Sequence, residues 1–249
     1  MGQFETKEGT VYYQVLGTGL PLLLIHGNSV SSKLFSSVEK SLSEQYQLIL
    51  FDFPGHGKSS RLDSFTTDFW FYNSEIALQL LQHLGLEEVV VVGTSGGALV
   101  GINLALEHPE VVQYLVADSF EGDTPDPDWT KGLREERSRA KQDISAQDFW
   151  FDNHGADWEK VVDQDTEVIL SHLESGKGFF HRDISELSVP TLLTGSNCDQ
   201  YIDSIEERYT RMAKRNSRIQ VKIFETGNHP AMLSNKSEFF ELLNQVLKT

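Results

Sequence analysis

Short, uninterrupted apolar runs alternate along the chain with longer stretches in which apolar residues recur every three or four positions. Leu22-Leu23-Leu24-Ile25 and Val89-Val90-Val91-Val92 carry no polar residue for either face of a strand, the pattern of strands buried on both sides. Gln47 to Phe51, Val111 to Ala117, Thr191 to Thr194 and Ile219 to Phe224 read as further strands. Phe4 to Glu8 and Val11 to Leu16, on either side of Gly9, read as an antiparallel hairpin. Helices are predicted over Ser32 to Glu44, Trp70 to Leu84, Gly96 to Glu107, Ile202 to Lys214 and Ser237 to Leu247, with Gly85 and Pro109 as stops. Strands alternating with helices predict an α/β fold: a mostly parallel, doubly wound sheet covered on both faces.

The alternation fails once. From Ser119 to Ser188 no strand pattern is visible, but helix-prone charged segments are, together with Trp129, Phe149, Trp150, Phe151, Trp158, Phe179 and Phe180. A long excursion with its own apolar residues reads as a helical lid inserted between two sheet strands rather than a loose loop. The expected organisation is a core of residues 1–118 and 189–249 with a cap of residues 119–188.

Composition narrows the partners. The chain has 249 residues and a formal net charge of −16, which argues against nucleic acid or anionic membrane as a partner. Residues 119–187 hold 17 Asp and Glu against 8 Lys and Arg. That excess fits either a solvated acidic surface or an acidic lid favouring neutral or cationic small molecules over anionic ones. The longest apolar stretch, Leu20 to Ile25, is far short of the roughly 20 residues that span a bilayer. Met1 to Thr10 shows no secretory signal, and its loose match to a myristoylation pattern lacks a basic patch beside it. A single cysteine, Cys198, forms no internal disulfide and fits a reducing, cytoplasmic setting.

The chemistry lies at strand ends. Gly93-Thr94-Ser95-Gly96-Gly97 follows the run Val89 to Val92 and opens a helical stretch, the G-x-S-x-G elbow in the context that presents a serine hydroxyl at a strand's C-terminal end. A serine needs a base to act as nucleophile. His229, in Gly227-Asn228-His229-Pro230 just after the last predicted strand, is the leading candidate. His26 and His56 also stand at strand ends, where they read better as residues that shape and brace loops. The imidazole needs a carboxylate to orient it: Asp199, four residues past Gly195, leads, and Asp118, closing the preceding strand, is the alternative. Oxyanion donors are expected from the Gly96 N–H and from the loop after Ile25, where Asn28 is chosen.

Other patterns fall away. Gly57-Lys58-Ser59 resembles the end of a phosphate loop, but Asp52 stands where the first glycine belongs. Gly55-His56-Gly57 lacks the third glycine of a dinucleotide fingerprint. No His, Cys and acidic cluster has metal-ligand spacing, so neither metal nor cofactor is expected. Cys198 reads as a buried filler rather than a nucleophile.

With these residues in place, the sequence strongly resembles the α/β-hydrolase family. The chain order Ser95, Asp199, His229 matches that family's order, and His26-Gly27, Asp52 to Ser59 and the Gly93 elbow fall where it has them. Asp68-Phe69-Trp70 onward and Gly93 to Pro109 are most similar to small capped esterases, including the valacyclovir hydrolase-like group. The resemblance implies hydrolysis of a small carboxylic ester through an acyl-enzyme. The same triad also serves thioester, amide and C–C bond hydrolysis, and a ligand-binding, receptor-like protein that keeps the triad but turns over slowly or not at all is the alternative from another class. Amino-ester-preferring members carry an acid directly after the serine, where this chain has Gly96. Dehalogenases and epoxide hydrolases share a His26-Gly27-Asn28-like run but use an aspartate nucleophile, where this chain has Ser95.

Overall fold

The computed structural model describes residues 1–247, with the Trp129 side chain outside the described set. β1 (Gly2–Thr6) pairs antiparallel with β2 (Gly9–Leu16), and β2 antiparallel with β4 (Tyr46–Phe51). From there β3 (Leu20–Ile25), β5 (Val89–Thr94), β6 (Val112–Asp118), β7 (Thr191–Ser196) and β8 (Ile219–Phe224) run parallel. The sheet order is β1-β2-β4-β3-β5-β6-β7-β8.

The apolar runs fill both faces because successive side chains of a strand point to opposite sides. Leu23 and Ile25 of β3 and Val89 and Val91 of β5 join one core; Leu22, Leu24, Val90 and Val92 join the other. α2 (Phe69–Leu84), α3 (Gly96–Glu107) and α7 (Ile205–Arg215) cover the first face through Ile76, Leu80, Leu99 and Tyr209. α1 (Glu39–Ser43) and α9 (Lys236–Val246) cover the second through Leu42, Phe239 and Leu243, and the single-turn α8 (Ala231–Ser234) precedes α9.

One predicted helix is broken. Ser32 to Glu44 forms a 3₁₀ turn over Ser32–Phe35, capped by the Ser31 hydroxyl, before α1 begins at Glu39. Ser36 and Ser37 are weak helix formers at the break, while Phe35, Val38 and Leu42 still turn inward on a helical spacing.

Between β6 and β7 the chain leaves the sheet for three helices, α4 (Pro127–Ala140), α5 (Ile144–His154) and α6 (Trp158–Ser175). Leu133, Val168, Ile169 and Phe179 of this excursion belong to the same core as α2 and α3. Trp150, Trp158 and Val162 form a small separate cluster. The insertion is thus welded to the sheet's helices.

The position of the site follows from strand order. The chain goes from β3 outward to β4, then returns to place β5 on β3's other side. The loops after β3 and β5 therefore diverge at their C-terminal ends and leave a crevice, the place where open α/β sheets bind ligands.

Candidate active site

Ser95 stands at that crevice, half-buried, with φ 56° and ψ −128°. A serine rarely holds such a backbone, which costs of order 1–3 kcal/mol and must be imposed by its surroundings. Here the Ser95 N–H donates to the Asp118 carbonyl at 2.8 Å, while the Ser95 carbonyl accepts the first helical bond, from Ala98. The flanking glycines answer close backbone approach. A Cβ at Gly93 would overlap the Gly97 carbonyl, and one at Gly97 would overlap the Ile25 and His26 carbonyls. Gly96 opens α3, so its N–H is among those no helical carbonyl can take.

His229 follows β8 and meets Asp199, which follows β7: His229 Nδ1 donates to Asp199 Oδ2 at 2.8 Å. The Asp199 carboxylate has no exposed surface and the imidazole is 13 % exposed. Gln200 Oε1 accepts from the His229 N–H, and Tyr201 meets the ring edge-on at 5.2 Å between centroids. Ser95 and His229 line the same cavity. Among the described residues no hydrogen bond yet joins them, a looseness common in free active sites.

Asp118, the alternative acid, is engaged elsewhere. It accepts from the Thr94 and Thr194 hydroxyls and from the Met232 N–H. Burial pushes its carboxyl up to about 6, against these bonds and the charge of His229. It ties β5, β6, β7 and α8 together beneath the site.

The two competing histidines are buried in the loops beside the crevice. His26 donates from Nδ1 to the Gly27 carbonyl at 2.8 Å and accepts the Phe53 N–H on Nε2; burial, then the charge of His56, hold it well below the usual imidazole range. His56 stacks on Phe65, with Nε2 3.3 Å from Asp165. Gly27 lies directly against the elbow, since a Cβ there would stand 2.8 Å from Ser95 Cβ and 3.3 Å from Oγ. Asn28 follows, its side chain spanning from Trp70 Nε1 (3.1 Å) to Asp165 (2.7 Å).

Gly27, Asn28, Ser95, Gly96 and His229 face a cavity of about 600 Å³. Leu133, Glu136, Arg137 and Ala140 present one face of α4 to it, Phe149 and Trp150 come from α5, and Glu121 from the loop after β6. Burial pushes Glu121 up to about 7, opposed by the Asp126 N–H it accepts. Among the described residues no cluster of three or more His, Cys, Asp or Glu is placed to hold a metal ion.

Comparison with known proteins fits this architecture. Residues 21–145 match the alpha/beta hydrolase fold family. The chain belongs to that family. It is 29% identical over 115 residues to the uncharacterized hydrolase YraK of Bacillus subtilis, covering 46% of this chain and 42% of that protein. A pimeloyl-[acyl-carrier protein] methyl ester esterase of Legionella pneumophila is 25% identical over 253 residues, 96% of this chain and 99% of that one. The chain spans about two fifths of the length of several other relatives, among them haloalkane dehalogenase 2 of Mycobacterium tuberculosis (27% identical, 45% of this chain and 39% of that one). Among solved structures, a meta-cleavage product hydrolase from Pseudomonas fluorescens IP01 superposes with TM-score 0.77 at 19% identity, covering 100% of this chain and 97% of that one. An esterase from Exiguobacterium antarcticum gives 0.75 at 18%, covering 97% and 96%.

In this α/β-hydrolase-fold chain several residues around the crevice carry no local sequence motif. Asp165 and Arg137 are buried in the lid, and Arg137 Nη1 donates to Asp165 Oδ2 at 2.9 Å and to the Thr166 hydroxyl. His154 accepts the Gly57 N–H on Nδ1 and donates from Nε2 to the Ser29 carbonyl, and Asn153 takes the Ser31 N–H and hydroxyl. A signal for Asp165 does exist: it shares the apolar face of α6 with Val161, Val162, Val168 and Ile169, where a carboxylate needs a partner. One expectation is corrected. Cys198 is exposed, its Sγ 3.5 Å from the Glu225 carbonyl, because the turn after β7 keeps it outside the core. Of the described aromatics of residues 119–188, Phe120, Phe149 and Trp150 line the cavity; Trp158 stacks on Trp150, Phe179 packs against Trp70 and His172, and Phe151 faces outward.

Proposed function

We propose that this chain is a serine hydrolase that cleaves a small carboxylic ester through an acyl-enzyme, with residues 119–188 acting as a cap over the core. The observation that carries this reading is the His229–Asp199 hydrogen bond opening onto the cavity in which Ser95 is displayed. Ser95 Oγ attacks the ester carbonyl while His229 Nε2 takes its proton. Asp199 keeps the other ring proton on Nδ1 and stabilises the imidazolium. The Gly96 and Asn28 N–H groups receive the oxyanion. His229 then protonates the leaving alcohol and activates the water that releases the acid.

The substrate is neutral or cationic. Glu121 and Glu136 line the cavity, and the charge of Arg137, the one Lys or Arg among its described lining residues, is matched by Asp165. The site does not suit an amino-ester preference of the valacyclovir hydrolase kind, because the Asn28 amide fills the space where an acid after the serine would stand.

Paired variants test the assignment of the acid. Asp199→Asn should lower kcat by roughly 10⁴ in p-nitrophenyl butyrate hydrolysis, as loss of the orienting carboxylate does elsewhere. Asp118→Asn should instead lower the melting temperature and leave most of kcat. The reverse pattern would transfer the role to Asp118.

A further inference from the structure

Asp165 lies on α6 with no exposed surface, 137 residues beyond Asn28. Burying a carboxylate costs several kcal/mol unless its oxygens are fully used. They are. Oδ1 accepts from Asn28 Nδ2 at 2.7 Å and lies 3.3 Å from His56 Nε2. Oδ2 accepts from the Ser29 hydroxyl at 2.8 Å and from Arg137 Nη1 at 2.9 Å. Burial alone would raise its pKa, but the Arg137 charge, His56 and the Asn28 bond outweigh this and hold it well below the usual carboxylate range. It is therefore an acceptor and nothing else.

That fixed polarity sets the Asn28 side chain. The carboxylate takes the amide's Nδ2, which turns Oδ1 toward Trp70 Nε1, a group that can only donate. Only one amide orientation satisfies both. Asn28 Oδ1 then lies on Gly96, where a Cβ would overlap it. The neighbouring Ser29 is held at φ 59°, with its hydroxyl on Asp165 and its carbonyl on His154 Nε2. The loop carrying one expected oxyanion donor is thus tied at two successive residues to a single lid carboxylate.

We propose that Asp165 is a positioning residue: from the lid it fixes Asn28 and Ser29, and through them the Asn28 N–H, against Ser95 and Gly96. The proposal rests on the serine hydrolase reading above. A displacement of such a donor by about 1 Å is enough to lower turnover by orders of magnitude.

The test is a double-mutant cycle between Asp165→Asn and Asn28→Ala, read in p-nitrophenyl butyrate hydrolysis with a melting curve for each variant. Each single variant should lower kcat by roughly 10- to 100-fold with KM changed less than about threefold. The double variant should be no worse than about threefold below the poorer single, because one acts through the other. If Asp165→Asn leaves Arg137 unpaired and does not fold, Asp165→Leu combined with Arg137→Met removes both charges together and should show the same kcat loss and the same lack of additivity with Asn28→Ala. Losses that multiply, or a fall in melting temperature with kcat retained, would overturn the role. A wild type inert to the ester and to a fluorophosphonate probe would overturn the hydrolase reading and the positioning role with it; an active wild type with multiplying losses would overturn the positioning role alone.

Discussion

Ser95 holds a left-handed backbone that only its neighbours can enforce, and the residues beside it are small because other groups already occupy their space. Gly96 shows this most directly: the Asn28 amide stands where its Cβ would be. Gly96→Ala should push Asn28 off both Trp70 and Asp165. The expected result is a loss of about 1–3 kcal/mol of stability, the usual cost of overpacking, together with a fall in kcat of roughly tenfold or more as the donor loop shifts. Urea melts and p-nitrophenyl ester kinetics check both; an unchanged kcat would mean that Asn28 can move without consequence. At this scale the sequence was legible where the chemistry is local. The glycines around Ser95 are contiguous with it, and His229 and Asp199 each follow a strand by a few residues. Asp165 was not legible as a partner of Asn28, because their meeting depends on how α6 lies across the crevice. Only its place among Val161, Val162, Val168 and Ile169 marked it as unusual.

The elements that carry the site are locked to one another through polar side chains. α5 docks on the loops after β3 and β4 through Asn153 and His154. His154 must be neutral to accept the Gly57 N–H on Nδ1 while donating from Nε2. Burial, then the charge of His56, hold its pKa down to about 4, against 6.5 for a free imidazole. The unfolded chain therefore takes up this proton before the folded one does, so the contribution to stability is complete above pH 6.5 and is lost as pH falls toward 4. His154→Gln should cost about 1–3 kcal/mol at pH 7 and should flatten the decline in stability between those limits. Melting curves across that range for both proteins measure it; parallel curves would contradict the docking role. Strand positions were readable from the apolar runs because burial on both faces leaves no room for polar residues. The break at Ser36 and Ser37 was not, since Phe35, Val38 and Leu42 keep a helical spacing across it. An apolar ring in the lid signals burial but not what it is buried against: Phe120, Phe149 and Trp150 line the cavity, whereas Trp158 packs on Trp150 and Phe179 on Trp70.

Over the whole molecule, strand order makes the crevice, the elbow puts Ser95 in it, and the lid closes it with Glu136, Arg137, Phe149 and Trp150. The acidic excess of residues 119–187 divides between two roles. Part is spent in ion pairs such as Arg134–Glu167, Lys141–Asp163 and Arg215–Asp183, and part lines the cavity as Glu121 and Glu136. The overall fold was within reach of the sequence because alternating strands and helices admit few topologies; the cavity's lining was not, because among the described residues it draws on nine separated segments of chain. Among the described residues no helix is long and apolar enough to cross a membrane. The central claim, that Ser95 is the nucleophile of an ester hydrolase, is tested most directly by labelling wild type and Ser95→Ala with a fluorophosphonate probe while following p-nitrophenyl butyrate hydrolysis. The account predicts that labelling and turnover are present in wild type and vanish together in a Ser95→Ala protein that melts as wild type does, with kcat lower by several orders of magnitude. Turnover that survives in Ser95→Ala, or a folded wild type that neither labels nor hydrolyses the ester, would contradict it.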